Sequence, residues 1–179
     1  MKNISTQVKK IAKKIKLLIM DVDGVLTPGY IAVTDKGQEL KIFDVHDGFG
    51  LMLWRREGFK SAIITAGDAA AVQKRADCLK IDCVYLKAMN KLIAYEDIKN
   101  KLNIGDEQIC FIGDDLIDIP ILRRVGFPCC VSNARKELLP FVKYVTKNSG
   151  GRGAIREIIE ILLKGKGLWK NILDLYTKR

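Results

Sequence analysis

No stretch of this chain approaches the ~20 consecutive apolar residues that a membrane-spanning helix needs, so a bilayer protein is not expected. The N-terminal MKNISTQVKKIAKKIK is basic, but it has no apolar core and no small-residue cleavage site, and it does not read as a secretory signal. Proline is scarce, at 4 residues, and with 15 glycines in 179 residues the composition excludes collagen-like or proline-rich low complexity. The five cysteines (Cys78, Cys83, Cys110, Cys129, Cys130) form no CxxC pair and no even framework. Such a set, without an export signal, reads as reduced thiols of a cytoplasmic protein. Internal repeats and interdomain linkers are also lacking.

What is present is 48% apolar residues, too many for a disordered polymer. The length fits one domain, residues 1–179, large enough to bury roughly 70% of its unfolded surface. The formal charge of +10 is unevenly spread: residues 1–16 carry six lysines and no acid, and residues 164–179 carry five basic residues against Asp174. Residues 17–163 are balanced, at 20 basic and 20 acidic. A nucleic-acid-binding domain would show a basic stripe on its folded body as well, so nucleic acid is not the expected partner. The two ends read as basic tails.

Short apolar runs alternate with helical segments. Lys16–Met20, Ser61–Thr65, Cys83–Leu86 and Gln108–Ile112 read as buried strands, with two shorter strands near 128–132 and 144–146. Helices are predicted over 4–15, 48–57, from about 66 to Leu79, over 91–102, 117–125 and 154–163. This alternation predicts an α/β fold, a Rossmann-like parallel sheet flanked by helices. The exception is a β-hairpin insertion after the first strand, residues 30–43, with its turn at Asp35-Lys36-Gly37.

Ligands of a parallel sheet bind where its strands end. The first strand runs into Asp21-Val22-Asp23-Gly24-Val25-Leu26-Thr27, the second ends at Thr65, Lys91 follows the third, and the fourth ends in Gly113-Asp114-Asp115-Leu116-Ile117-Asp118. Clustered carboxylates repel one another unless a cation neutralises them, and an all-oxygen set suits Mg²⁺ shared with a phosphate. The i,i+4 spacing of Asp114 and Asp118 predicts one helix face for both. Each motif alone is weak; their order in one chain is a strong signal for phosphoryl chemistry.

Together with Phe43-Asp44-Val45-His46-Asp47-Gly48-Phe49-Gly50 and Gly150-Gly151-Arg152-Gly153-Ala154-Ile155-Arg156-Glu157, these motifs resemble the haloacid dehalogenase superfamily of aspartate-nucleophile phosphatases. Within it, they resemble the capless subfamily that acts on 3-deoxy-D-manno-octulosonate 8-phosphate (KDO 8-phosphate). The resemblance implies that Asp21 is the nucleophile and Asp23 the general acid and base. It implies that Asp21, Asp23 (through its carbonyl) and Asp114 hold Mg²⁺, with Asp115 and Asp118 in support, and that Thr65 and Lys91 bind the phosphoryl oxygens. His46 and Arg152 are the further candidates for substrate contact; His46 could equally cap its turn.

No cap insertion fits between Asp21 and Thr65. The resemblance implies that hairpins associate in a homotetramer in which a neighbour roofs each site. The C-terminal Lys164-Gly165-Lys166-Gly167 stretch could fold over an active site or fray, and Leu168–Tyr176 could form a short amphipathic helix. Three departures from the family stand out: Pro28 replaces a commonly acidic residue after Thr27, His46 replaces an arginine, and Ala66-Gly67-Asp68 replaces Gly-Arg after the threonine; the last two bear on the substrate. Both remove bidentate carboxylate recognition, and Asp68 would repel a carboxylate unless it pairs with a lysine. The expected activity is hydrolysis of KDO 8-phosphate. The alternatives are a phosphatase for a nine-carbon ulosonate phosphate or other sugar phosphate, disfavoured by Arg152, and a non-catalytic scaffold, disfavoured by the intact motif residues.

Overall fold

In the computed structural model, which describes residues 6–178, six short strands form one parallel sheet. They are β1 (Leu17–Met20), β4 (Lys60–Ile64), β5 (Cys83–Tyr85), β6 (Ile109–Gly113), β7 (Phe127–Cys130) and β8 (Tyr144–Val145). Two further strands, β2 (Ala32–Val33) and β3 (Glu39–Leu40), make an antiparallel hairpin outside the sheet. The sheet order is β5-β4-β1-β6-β7-β8, so β1 lies inside, with Met20 level with Ile63 on one side and Ile112 on the other.

All four residues of β1 are buried, as a strand covered on both faces requires. The two-residue period divides them. Leu18 and Met20 join the core under α1 (Thr6–Lys14), α2 (Val45–Arg56), α3 (Ala70–Leu79) and α6 (Ala154–Gly165). Leu17 and Ile19 join the core under α4 (Lys91–Leu102) and α5 (Ile119–Leu122). The remaining helix is α7 (Trp169–Thr177).

Several boundaries differ from expectation. The hairpin is shorter than residues 30–43, and α2 starts at Val45 because Asp44 caps it, its Oδ1 accepting from the His46 and Asp47 N–H groups at 2.6 and 3.1 Å. The segment expected as one helix from Ile117 to Val125 is a 3₁₀ turn, Leu116–Asp118, followed by the short α5.

The basic ends are not loose tails among the described residues. In α1, Ala12 is fully buried, and a Cβ on Gly165 of α6 would lie only 2.5 Å from the Ala12 Cβ, so the two helices touch closely. Helix α7 buries Ile172 and meets α2 through an edge-on contact of Tyr176 with Phe49, centroids 5.9 Å apart. No helix of the described residues is long and apolar enough to cross a membrane.

Candidate active site

The carboxyl ends of β1, β4 and β6 converge on one buried cluster. Asp21 follows β1 directly and is 5% exposed, with its N–H bonded to the Ile112 carbonyl at 3.1 Å. The loop after it folds back on the Val22 carbonyl, which accepts from the Val25, Leu26 and Thr27 N–H groups at 2.9–3.2 Å. Gly24 in this loop has φ +84°, and a Cβ there would fall 2.1 Å from Asp114 Oδ2. Only glycine tolerates both the left-handed backbone and that approach, which is what lets Asp114 reach Asp21. The GGRG stretch packs behind: a Cβ on Gly150 would lie 1.6 Å from the Gly24 carbonyl oxygen.

Lys91, the first residue of α4 behind its Asn90 cap, is 2% exposed. Its Nζ lies 3.0 Å from Asp21 Oδ1 and 2.7 Å from Asp118 Oδ1. The other oxygen of Asp118 accepts the Asp114 and Asp115 N–H groups at 2.9 and 3.2 Å. Asp114 and Asp118 therefore converge through a backbone-bonded turn rather than along a helix face. One ligand atom from each of Asp21, Asp114 and Asp118 lies within 4.8 Å of the others.

Electrostatics mark this as a site out of balance. Burial pushes the Asp21 carboxyl up to about 6, against the pull of Lys91 and helped by Asp118. Burial, then Asp21 and Asp118, push Asp114 up to about 8. Burial alone would lower the Lys91 ammonium, but Asp21 and Asp118 outweigh it and hold it above its usual value. A hard cation between Asp21 and Asp114 would relieve the repulsion, and the all-oxygen donor set fits Mg²⁺. Asp118 has both oxygens engaged already, so it is suited to orient Lys91 and the Asp114 turn.

Thr65, at the end of β4, is 2% exposed, and its Oγ1 accepts the Gly67 N–H at 3.1 Å. Asp23 stands at the mouth, with its side chain 42% exposed and its Oδ1 ion-paired with Lys41. Asp68 pairs with Lys87 at 2.7 Å, which offsets the repulsion expected of it.

Three candidates fall outside the cluster. Asp115 is exposed and caps the 3₁₀ turn, accepting the Leu116 N–H at 2.7 Å. His46 and Arg152 are exposed and line an open groove of about 970 Å³ between α6 and residues 143–148, which Asp21, Asp114 and Asp118 do not border. The resemblance offers both as substrate contacts; within one chain they line this groove.

Sequence reasoning also missed two residues. One is Lys41, whose partner lies 18 residues earlier. The other is Asp47, 2% exposed in α2, which accepts the Gly153 and Arg156 N–H groups at 3.3 and 2.7 Å. It thus caps the start of α6 from another helix and holds the GGRG stretch against the loop that follows Asp21. Burial, foremost, raises its carboxyl to about 6. The alternation in Glu39-Leu40-Lys41-Ile42 was a signal that could have found Lys41; Asp47 stood in a motif, but nothing local gave it a partner.

Comparison with known proteins agrees with this geometry. Residues 61–159 match the family model of haloacid dehalogenase-like hydrolases. The chain is 43% identical over 164 residues to the 3-deoxy-D-manno-octulosonate 8-phosphate phosphatase of Salmonella typhi, covering 92% of this chain and 87% of that protein. Among solved structures, the Moraxella catarrhalis enzyme of the same name, in complex with a magnesium ion, a phosphate ion and a KDO molecule, superposes with TM-score 0.94 at 35% identity, over 97% of this chain and 100% of that one. The Yersinia pestis enzyme gives TM-score 0.91 at 39% identity, over 93% and 90%.

Proposed function

The chain belongs to the haloacid dehalogenase-like hydrolases, and we propose that within that family it is the Mg²⁺-dependent phosphatase that converts KDO 8-phosphate to KDO and inorganic phosphate, a step toward the inner-core sugar of lipopolysaccharide. The observation that carries this reading is the buried Asp21–Lys91–Asp118 arrangement with Asp114 beside it, in a chain 43% identical to an enzyme of that name.

Each residue has a chemical task. Lys91 holds Asp21 Oδ1, which leaves Oδ2 to attack phosphorus and form an aspartyl-phosphate. Lys91 and the Thr65 hydroxyl receive the phosphoryl oxygens. Asp23, at the mouth, protonates the departing alkoxide and then takes a proton from the water that hydrolyses the aspartyl-phosphate. Asp21, Asp114 and the Asp23 carbonyl would hold Mg²⁺, which when bound cancels charge between the carboxylates and the phosphate dianion.

We further read the protein as a homotetramer built on its hairpins. Tyr30, Ile31 and Ile42 are 78%, 77% and 70% exposed, an apolar ribbon of the kind that marks an interface. A neighbour seated there would supply the roof that the chain's own insertion is too small to form. Five free thiols suit a reducing, cytoplasmic compartment.

The test is phosphate release over a panel of sugar phosphates with Mg²⁺. KDO 8-phosphate should give the highest kcat/KM. A nine-carbon ulosonate phosphate or a simple hexose phosphate turned over faster would overturn the substrate assignment.

A further inference from the structure

The extended arm that leaves the hairpin carries Glu39, Leu40, Lys41 and Ile42 in alternation. Successive side chains of such an arm point to opposite sides. Leu40 and Ile42 face outward, 53% and 70% exposed, whereas the Lys41 side chain is 3% exposed. Its Nζ reaches Asp23 Oδ1 and, at 2.5 Å, Glu39 Oε1. Among the described residues, no other side chain bonds Asp23. The second oxygen of Asp23 looks the other way: a Cβ built on Gly67 would lie 3.2 Å from Asp23 Oδ2 and 3.5 Å from Thr65 Oγ1. Oδ2 therefore faces the side where Thr65 receives the phosphoryl group.

We propose that Lys41 is a positioning residue for the reaction: it clamps Oδ1 of Asp23 so that Oδ2 is the oxygen presented to the leaving group, and Glu39 fixes Lys41 in turn. The inference rests on the reading of Asp23 as general acid and base. In the first step the Asp21 oxygen forms its bond to phosphorus as the bond to the bridging oxygen breaks, and the proton on Asp23 Oδ2 passes to that oxygen. Lys41 gives up no proton. Its ammonium stays paired with the two carboxylates, Asp23 and Glu39. Because Lys41 sits between two outward apolar residues, whatever seats the hairpin also seats the clamp.

Leaving-group dependence separates this role from a merely structural one. An alkoxide must be protonated as it leaves; p-nitrophenolate need not be. The measurement is kcat/KM, which reports steps up to aspartyl-phosphate formation, for KDO 8-phosphate and for p-nitrophenyl phosphate, in Asp23→Asn, Lys41→Met, Lys41→Arg and Glu39→Gln. A positioned general acid is worth on the order of 10²- to 10⁴-fold. Lys41→Met should therefore lose ~10²-fold or more on the alkyl ester but less than ~3-fold on the aryl ester. Lys41→Arg should restore most of the loss, and Glu39→Gln should show the same pattern more weakly. Thermal unfolding of each variant confirms folding, and Lys41→Arg keeps the test open if Lys41→Met fails to fold. Equal losses on both esters, or no loss on the alkyl ester, would overturn the role of Lys41 while Asp23→Asn still shows the selective loss. If Asp23→Asn itself loses equally on both, the acid–base reading falls, and the inference with it.

Discussion

The two ends of the parallel sheet both draw charge at least partly away from water, and they do so in opposite ways. At the carboxyl end, Asp21, Asp114 and Asp118 bring oxygens within 4.8 Å of one another with one lysine among them. At the amino end, half-buried Lys166 lies over the Phe59 ring at 4.3 Å and donates to the Lys13 carbonyl at 3.3 Å, near the like charge of Lys16. Burial raises Asp21 and Asp114 at the first end and lowers Lys166 at the second. The difference lies in where the strained groups point. The carboxylates share one space that a cation and a phosphate can fill, so a ligand relieves their strain. The lysine is already spread over rings and a carbonyl, so its strain is a fixed cost of closing α6 over the sheet.

The largest effects are expected at the carboxyl end. Asp21→Asn should remove phosphate release by at least ~10⁴-fold, the scale on which loss of a nucleophile acts, with the fold intact by circular dichroism. EDTA should stop turnover and Mg²⁺ restore it. At ~100 times its dissociation constant, Mg²⁺ should stabilise the protein by about 2.7 kcal/mol, a Tm gain of ~5–10 °C for this size. Asp114→Asn should raise the Tm of the metal-free protein by relieving repulsion, and should abolish the gain on adding Mg²⁺. A variant that keeps the full Mg²⁺ gain would place the metal elsewhere.

The clustering of the candidate site was legible because its residues sit where strands end, and strand ends are marked by apolar runs stopping near Asp21, Thr65 and Asp114. The parallel order followed from the same alternation. What stayed hidden depends on contacts across the chain. Asp47 caps a helix through Gly153, 106 residues later, and no local pattern announces that. Asp118 was read as a helix-face partner, but the backbone of a 3₁₀ turn, not a helix, brings it to Asp114. His46 and Arg152 were named from the family resemblance, and within one chain they line a groove beside α6 rather than the carboxylate cluster. The basic ends read as tails because their charge is conspicuous, while the small residues that dock them, Ala12 and Gly165, are not.

A middle-sized effect is expected where the carboxyl end opens to solvent. Polar substitutions at Ile31, Val33 and Ile42 should dissociate the oligomer, measured by light scattering, and lower kcat/KM roughly 10- to 100-fold through looser positioning. The same substitutions should leave the amino end untouched. A fully active monomer would remove the neighbour from the site and make the carboxyl end self-sufficient.

The smallest effect belongs to the amino end, where Lys166→Met should stabilise the protein without changing its kinetics. Burial, then Lys16, hold the folded-state pKa at about 8, below the ordinary 10.5. Between those values the unfolded chain binds a proton that the folded chain does not, so stability contributed at this site rises with pH across that window. Below about 8 both states carry the charge and the full penalty applies. Lys166 is half exposed, so solvent screening reduces that penalty to ~1 kcal/mol. The lost cation–π contact with Phe59, worth about 0.5 kcal/mol at an exposed site, offsets part of the gain. Lys166→Met should thus melt higher than wild type by ~1–3 °C at pH 7, and the gap should close as the pH is raised from 8 toward 10. KM for the phosphate ester should not move, because Lys166 lies at the end of the sheet away from Asp21. A lower Tm at pH 7 that stays lower at pH 10 would mean that the aromatic contact outweighs burial. A raised KM would mean that this lysine reaches a neighbour's substrate, and the two ends would no longer be independent.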